Sequence, residues 1–251
     1  MKYIFGNWKL YLNNEESLYL AEQLVTIPVE KNELEVCVFP NALSFQAVKN
    51  VLVSSEYAIG AQNVNWTPRG AYTGALSAVL FKEVGATFAL VGHSERRYVF
   101  GDTNEDIRHR FEACVDARIA PVLCIGETED DKENGKTEYR IKKQLMKVFE
   151  NMDLDDTQFF IAYEPVWAIS QGGSGKACAP EDAAQVFSLI KEELKQYTAN
   201  DVPLIYGGSV NAKNVESYIS LEGVSGVLPG HASTKIEDLK QIMEVVLQIK
   251  K

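Results

Sequence analysis

Eight times along the chain a short apolar run gives way to a stretch with helical periodicity, and this alternation constrains the fold more than any other feature. The runs are Tyr3–Trp8, Glu35–Phe39, Tyr57–Ala61, Phe88–Val91, Ala120–Ile125, Phe159–Tyr163, Pro203–Tyr206 and Gly223–Leu228. Segments such as Val36-Cys37-Val38-Phe39 and Val122-Leu123-Cys124-Ile125 have no polar alternation, as expected of parallel strands buried on both faces. Between them, Ala183, Val186, Phe187, Ile190 and Leu194 fall on one helical stripe behind Pro180, which suits a first helical turn. Ile141, Leu145, Val148 and Phe149 form a second stripe, and Ile236, Leu239, Met243 and Val246 a third. No linker or break in composition divides the 251 residues. The expectation is an α/β protein with a single domain over residues 1–251, a closed (β/α)8 barrel, with a doubly wound open sheet as the alternative.

Hydrophobic residues at 46% and charged residues at 24% are the proportions of a packed chain, not of a disordered, collagen-like or disulfide-stapled one. The formal charge of −10 argues against nucleic acid or an anionic membrane as partner, since both need clustered Lys and Arg. A small phosphorylated ligand stays compatible with it where the local field is positive. Cys37, Cys114, Cys124 and Cys178 are widely spaced, with no C-x-x-C pair and no histidine at ligand spacing, so neither a metal site nor a disulfide framework is expected. Gly6 interrupts the first apolar run too early for a signal peptide, and no run approaches the roughly 18 residues of a spanning helix. A cytoplasmic, reducing setting is the expectation.

In a barrel, polar residues at the C-terminal ends of the strands are the functional candidates. In order these are Asn7 and Lys9, Gln62 and Asn63, His93-Ser94-Glu95-Arg96, Gly126-Glu127, Glu164, Gly207-Gly208-Ser209 and Gly230-His231. Glu164 follows an apolar run and precedes Pro165; near Trp167 and Ile169 it would act as a general base, or else serve as a solvated loop carboxylate. His93 would open a helix, where the dipole favours neutral imidazole able to donate to a substrate oxygen; the alternative is a structural histidine. Asn7 and Lys9 share a side if the strand continues through Trp8, and an ammonium there would stabilise negative charge on oxygen. The glycines after strands seven and eight either present N–H groups to a phosphate or simply make tight turns. Gly172-Gly173-Ser174-Gly175-Lys176 is not a nucleotide loop: Ser170 stands where its first glycine belongs and Ala177 follows the lysine.

Seven motifs in order carry a family resemblance. They are Asn7-Trp8-Lys9, Ala61-Gln62-Asn63-Val64, Gly70-Ala71-Tyr72-Thr73-Gly74, Gly92-His93-Ser94-Glu95-Arg96-Arg97, Cys124-Ile125-Gly126-Glu127, Ala162-Tyr163-Glu164-Pro165-Val166-Trp167-Ala168-Ile169 and Tyr206-Gly207-Gly208-Ser209-Val210. The chain resembles the triosephosphate isomerase family over essentially its whole length. The resemblance implies the TIM-barrel fold and interconversion of dihydroxyacetone phosphate and D-glyceraldehyde 3-phosphate, a step of glycolysis and gluconeogenesis, without cofactor or metal. Glu164 would be the base, His93 the neutral electrophile and Lys9 the positive charge. Asn7, Glu95, Cys124 and Tyr206 would support the site. Ser170, Gly172, Ser209, Gly230 and His231 would hold the substrate with Asn7 and Lys9. A lid over Pro165–Lys176 would exclude water, latched by Tyr206 and Ser209. Thr73 would insert beside the active site of a second subunit in a homodimer.

The sequence departs from the family pattern in three places. The lid is about three residues longer, with Ser170 or Gly172 where a glycine N–H reaches phosphate; Gly230-His231 replaces a Gly-Gly pair; and Ala75 replaces a glutamate that pairs with the arginine matching Arg96. Two rival functions go with these departures: isomerisation of a four-carbon ketose phosphate, and binding of a phosphorylated metabolite without turnover.

Overall fold

The computed structural model describes residues 1–169 and 177–249. Each apolar run becomes a strand: β1 Lys2–Asn7, β2 Leu34–Phe39, β3 Ala58–Ala61, β4 Phe88–Val91, β5 Ala120–Ile125, β6 Phe160–Tyr163, β7 Leu204–Tyr206 and β8 Val224–Val227. Each pairs in parallel with its neighbour in sequence, and β1 meets β8 with Tyr3 opposite Gly226 and Ile4 opposite Val227. The sheet is therefore closed, which decides for the barrel over the open sheet: every strand is paired on both sides and no edge is exposed.

Because strand side chains alternate, each strand feeds two cores. Tyr3, Phe5, Phe88, Val122, Phe160 and Ile205 fill the barrel, whereas Ile4, Val36, Val38, Leu123 and Ile161 face out and pack under the helices. The helical stripes occupy that outer layer. Ala183, Phe187 and Ile190 are buried on the helix Pro180–Leu194, which starts at Pro180 itself, and Ile141, Leu145 and Val148 on Thr137–Phe149. Asn13, Thr103 and Thr128 cap their helices with reciprocal capping boxes, so the starts of three helices are written locally. Among the described residues no helix is long and apolar enough to cross a membrane.

Periodicity gives one helix per unit, but among the described residues two units carry an extra short α-helix before the main one, Ser94–Tyr98 after β4 and Glu129–Glu133 after β5, and two carry a 3-10 turn, Val166–Ala168 after β6 and His231–Thr234 after β8. Five residues are too few to form an apolar stripe, so their pattern is invisible to periodicity. The first of these short helices organises the site.

Candidate active site

Glu164 is the first residue beyond β6, and the surrounding backbone is shaped for it. Its N–H donates to the Ile125 carbonyl at 2.7 Å. A methyl group on Gly126 would fall 1.8 Å from the Glu164 carbonyl oxygen, and one on Gly207 would fall 2.7 Å from Glu164 Cγ. Two strand-end glycines are thus required so that this side chain can descend between β5 and β7. The carboxylate is only 1% exposed. Its Oε2 accepts the Ser94 N–H at 3.0 Å, and its Oε1 lies 3.5 Å from His93 Nε2 with no hydrogen-bond partner among the described residues.

His93 caps the helix Ser94–Tyr98: its Nδ1 accepts the Glu95 N–H at 3.2 Å. A nitrogen that accepts carries no proton, so this hydrogen bond leaves the ring hydrogen to Nε2, the atom turned toward Glu164. One short helix therefore does two things. Its cap fixes the histidine tautomer, and its first free N–H holds the carboxylate.

Lys9 reaches the site by a different route from strand alternation. β1 ends at Asn7, and Lys9 adopts φ +47°, a left-handed conformation uncommon outside glycine. The Asn7 Oδ1 stabilises this turn by accepting the Lys9 N–H at 3.0 Å, while Gln62 donates to the Lys9 and Phe39 carbonyls at 2.8 Å each. The ammonium then pairs with Glu95 Oε1 at 2.8 Å. Burial pushes the Glu95 carboxyl up, but the Lys9 hydrogen bond and charge together bring it below its ordinary value. Asn7, Lys9, Glu95, His93 and Glu164 are thus linked, as the sequence implies. Asn7 and Lys9, however, meet through a strained turn and not as strand neighbours.

Beside these groups lies a cavity of about 310 Å³ lined by Lys9, His93, Ser209, Gly230 and His231, with Tyr11 on its rim. This is the small end of the range for ligand sites, suited to a compact molecule. Gly230 lies directly against the lysine: a methyl there would sit in ordinary contact with Lys9 Cε at 3.4 Å. His231 is exposed, with its ring edge-on to Tyr11. Ser209 is committed elsewhere, since its N–H and its hydroxyl both donate to the Ala168 carbonyl, at 3.2 and 2.8 Å. It grips the segment that follows Glu164. Ser170 and Gly172, with the rest of the stretch to Lys176, lie outside the described residues.

The same segment is held from the other side by Glu127, one of the strand-end candidates, and by Lys132, which the sequence does not single out. Glu127 accepts from Trp167 Nε1 at 2.7 Å and from the Tyr163 hydroxyl at 3.1 Å, and burial raises its carboxyl above the ordinary range. Lys132 lies 3.6 Å over the Trp167 ring and pairs with Asp182 at 2.8 Å. Cys124 is fully buried, and burial holds its thiol far above the usual range, so it packs as a neutral group. Tyr206 is also fully buried and stacks on Tyr218 at 3.8 Å, its hydroxyl without a partner among the described residues. Arg96, whose expected glutamate partner is replaced by Ala75 in this sequence, pairs with Asp102 in the same chain through two bonds of 2.8 and 3.0 Å. No local pattern in the sequence points to Asp102; five residues of helix and loop separate it from its partner. Thr73 is exposed on a loop closed by the bridge between Asn65 and Ser77.

Comparison with known proteins agrees with this geometry. The triosephosphate isomerase family profile matches residues 2–246. A triosephosphate isomerase from Trichodesmium erythraeum is 37% identical over 243 residues, covering 96% of this chain and 97% of its own. Those of Caldanaerobacter subterraneus subsp. tengcongensis and Dictyoglomus thermophilum are 35% and 34% identical, over 96% and 97% of this chain and 97% and 98% of theirs. On a full-length profile match, relatives above 30% identity and a closed eight-stranded barrel, the chain belongs to the triosephosphate isomerase family.

Proposed function

We propose that this chain interconverts dihydroxyacetone phosphate and D-glyceraldehyde 3-phosphate with Glu164 as base, His93 as electrophile and Lys9 as the stabilising charge. The observation that carries the assignment is the apposition of Glu164 Oε1 and His93 Nε2 at 3.5 Å, with the histidine proton fixed on Nε2 by the Glu95 N–H. With substrate in the cavity, Glu164 takes the proton from the carbon beside the carbonyl. The His93 Nε2–H donates to the carbonyl oxygen, and the Lys9 ammonium offsets the negative charge that develops as the enediolate forms. His93 moves a proton between the two oxygens, and Glu164 returns its proton to the neighbouring carbon, so nothing is gained or lost overall. For this the carboxylate must give up the Ser94 N–H and turn into the cavity. The Ser94 bond is a resting place.

In the same reading Gly230, His231 and Ser209 surround the phosphate together with Ser170 and Gly172, and residues 1–251 act as one barrel domain. A homodimer accounts for a second cavity, about 670 Å³, which opens beside the site between Lys9, Tyr11, Glu95, Val99 and Phe100. Leu10 at 90%, Val99 at 71% and Phe100 at 65% exposure surround it, an apolar patch that a second copy carrying Thr73 would cover. A cytoplasmic setting fits the four free, buried cysteines.

The test is a coupled assay with three- and four-carbon ketose phosphates side by side. The triose is expected to turn over roughly a hundredfold faster. Equal turnover, or a preference for the four-carbon substrate, would move the assignment to the larger sugar; tight binding with no turnover of either would make the chain a binding protein.

A further inference from the structure

The Gly230-His231 pair places an imidazole where the family has only backbone, and the structure gives that ring a neighbour. His231 and Tyr11 meet edge to face, with centroids 5.3 Å apart and planes at 81°. Both line the cavity that holds Lys9 and Gly230. Tyr11 arrives there through the strained turn at Lys9, closed by the Tyr11 N–H donating to the Trp8 carbonyl at 3.2 Å. The turn that presents the ammonium to the cavity therefore also presents this ring to His231.

The electrostatics of the cavity give the imidazole a task. Lys9 is the cation on the wall, but Glu95 holds it at 2.8 Å. Asp238, in the first turn of the helix Ile236–Gln248, lines the same cavity, and the whole chain carries −10. Among the described residues, an anion entering here meets the Lys9 ammonium, already paired, and the Asp238 carboxylate, so an additional N–H donor on the wall matters. His231 opens the 3-10 turn His231–Thr234, so its backbone is fixed but its exposed side chain samples several rotamers unless something holds it, and each lost rotamer costs binding. The ring of Tyr11 is the contact that removes this freedom.

We propose, building on the reading of His231 as a phosphate contact, that Tyr11 is a positioning residue: its ring holds the His231 imidazole against the cavity so that an N–H donates to the substrate phosphate. The contact is made by the aromatic ring and not by the hydroxyl, so phenylalanine should serve in place of tyrosine. The two residues should act as one unit on KM and leave kcat alone, because neither reaches the reacting carbons.

The experiment is a double-mutant cycle on the full chain, reading KM and kcat for dihydroxyacetone phosphate and competitive inhibition by inorganic phosphate. His231→Ala should raise KM and the phosphate inhibition constant about tenfold, the size of one hydrogen bond to a charged group, with kcat within twofold. Tyr11→Leu, which keeps bulk without the aromatic edge, should raise both about threefold to tenfold, whereas Tyr11→Phe should match the parent. The double variant Tyr11→Leu/His231→Ala should be no worse than His231→Ala alone. Additive losses, or a Tyr11→Leu variant with parental KM beside a weakened His231→Ala, overturn the positioning role and leave His231 as a contact. If His231→Ala itself keeps parental KM and phosphate inhibition, the phosphate reading of His231 falls and the role of Tyr11 falls with it. Thermal melts of each variant separate these outcomes from misfolding, and Tyr11→Phe keeps the test open should Tyr11→Leu fail to fold.

Discussion

At the N-terminal end of the barrel, Tyr3, Phe5, Phe88 and Phe160 pack into one another at centroid distances of 4.8 to 5.9 Å, all nearly or fully buried. At the C-terminal end the same strands run out into a linked set of polar groups: a carboxylate with one oxygen lacking a hydrogen-bond partner among the described residues, a histidine whose Nδ1 accepts a backbone N–H, and a lysine in a left-handed turn. One end satisfies every packing preference its residues have. The other leaves polar groups buried and backbone strained, which is tolerable because the aromatic end and the closed ladder hold the strands in place. The difference teaches that stability and chemistry are separated along the strand axis, over the length of a strand of four to six residues.

If the separation is real, substitutions at the two ends should have opposite signatures. The largest effect is expected from Glu164→Gln, which keeps the shape and can still accept from Ser94 but removes the base. Steady-state kinetics should show kcat lower by about 10²–10⁴-fold, with the thermal midpoint unchanged or raised. A rate within twofold of the parent would remove Glu164 from the mechanism. Next is Phe160→Ala at the aromatic end, where denaturant titration should show a loss of about 3–5 kcal/mol while the folded fraction keeps parental kcat. A fall in kcat as large as the fall in stability would show that the ends are coupled after all. Lys9 offers a smaller and finer test, because its φ of +47° suits glycine. Both Lys9→Ala and Lys9→Gly should lose activity, but Lys9→Gly should be the more stable by about 1 kcal/mol. Equal stability would mean that the surrounding bonds have removed the strain.

The smallest effect concerns acid. Asp131, near the mouth, is held at about 2 by its hydrogen bonds to Arg140, against an ordinary 3.8. Its folded-state value is depressed, so the stabilisation is complete above about pH 4 and is lost as the pH falls toward 2. Asp131→Asn should lose stability at neutral pH and converge on the parent as the pH approaches 2, as followed by acid unfolding. A constant gap between the two would place the acid-labile group elsewhere.

The barrel was legible because its information is periodic. Buried parallel strands are apolar throughout and helices repeat, so eight units and their order can be read residue by residue. The candidate site is legible only where a strand end is marked by a polar residue or a glycine: Asn7, His93, Glu164 and Gly230 all stand just at or beyond one. What escaped depends on contacts between distant segments. Ser94 holds Glu164 through a backbone N–H, which no residue type advertises. Asp102 meets Arg96 across a loop, and Tyr11 meets His231 from the opposite end of the chain. Lys9 was found for the wrong geometric reason, since alternation assumes the strand continues and the chain turns instead.

Gly126 and Gly207 have a consequence for anyone transplanting this chemistry. The place of Glu164, the proposed base, is defined by two missing side chains as much as by its own carboxylate, since even a methyl at either position would collide with it. A graft that copied only the lysine, the histidine and the glutamate onto another barrel would deliver the right functional groups to a site with no room for one of them. In a divergent relative, the same pair of empty positions flanking a strand-end acid would be a better marker of a working site than the acid alone.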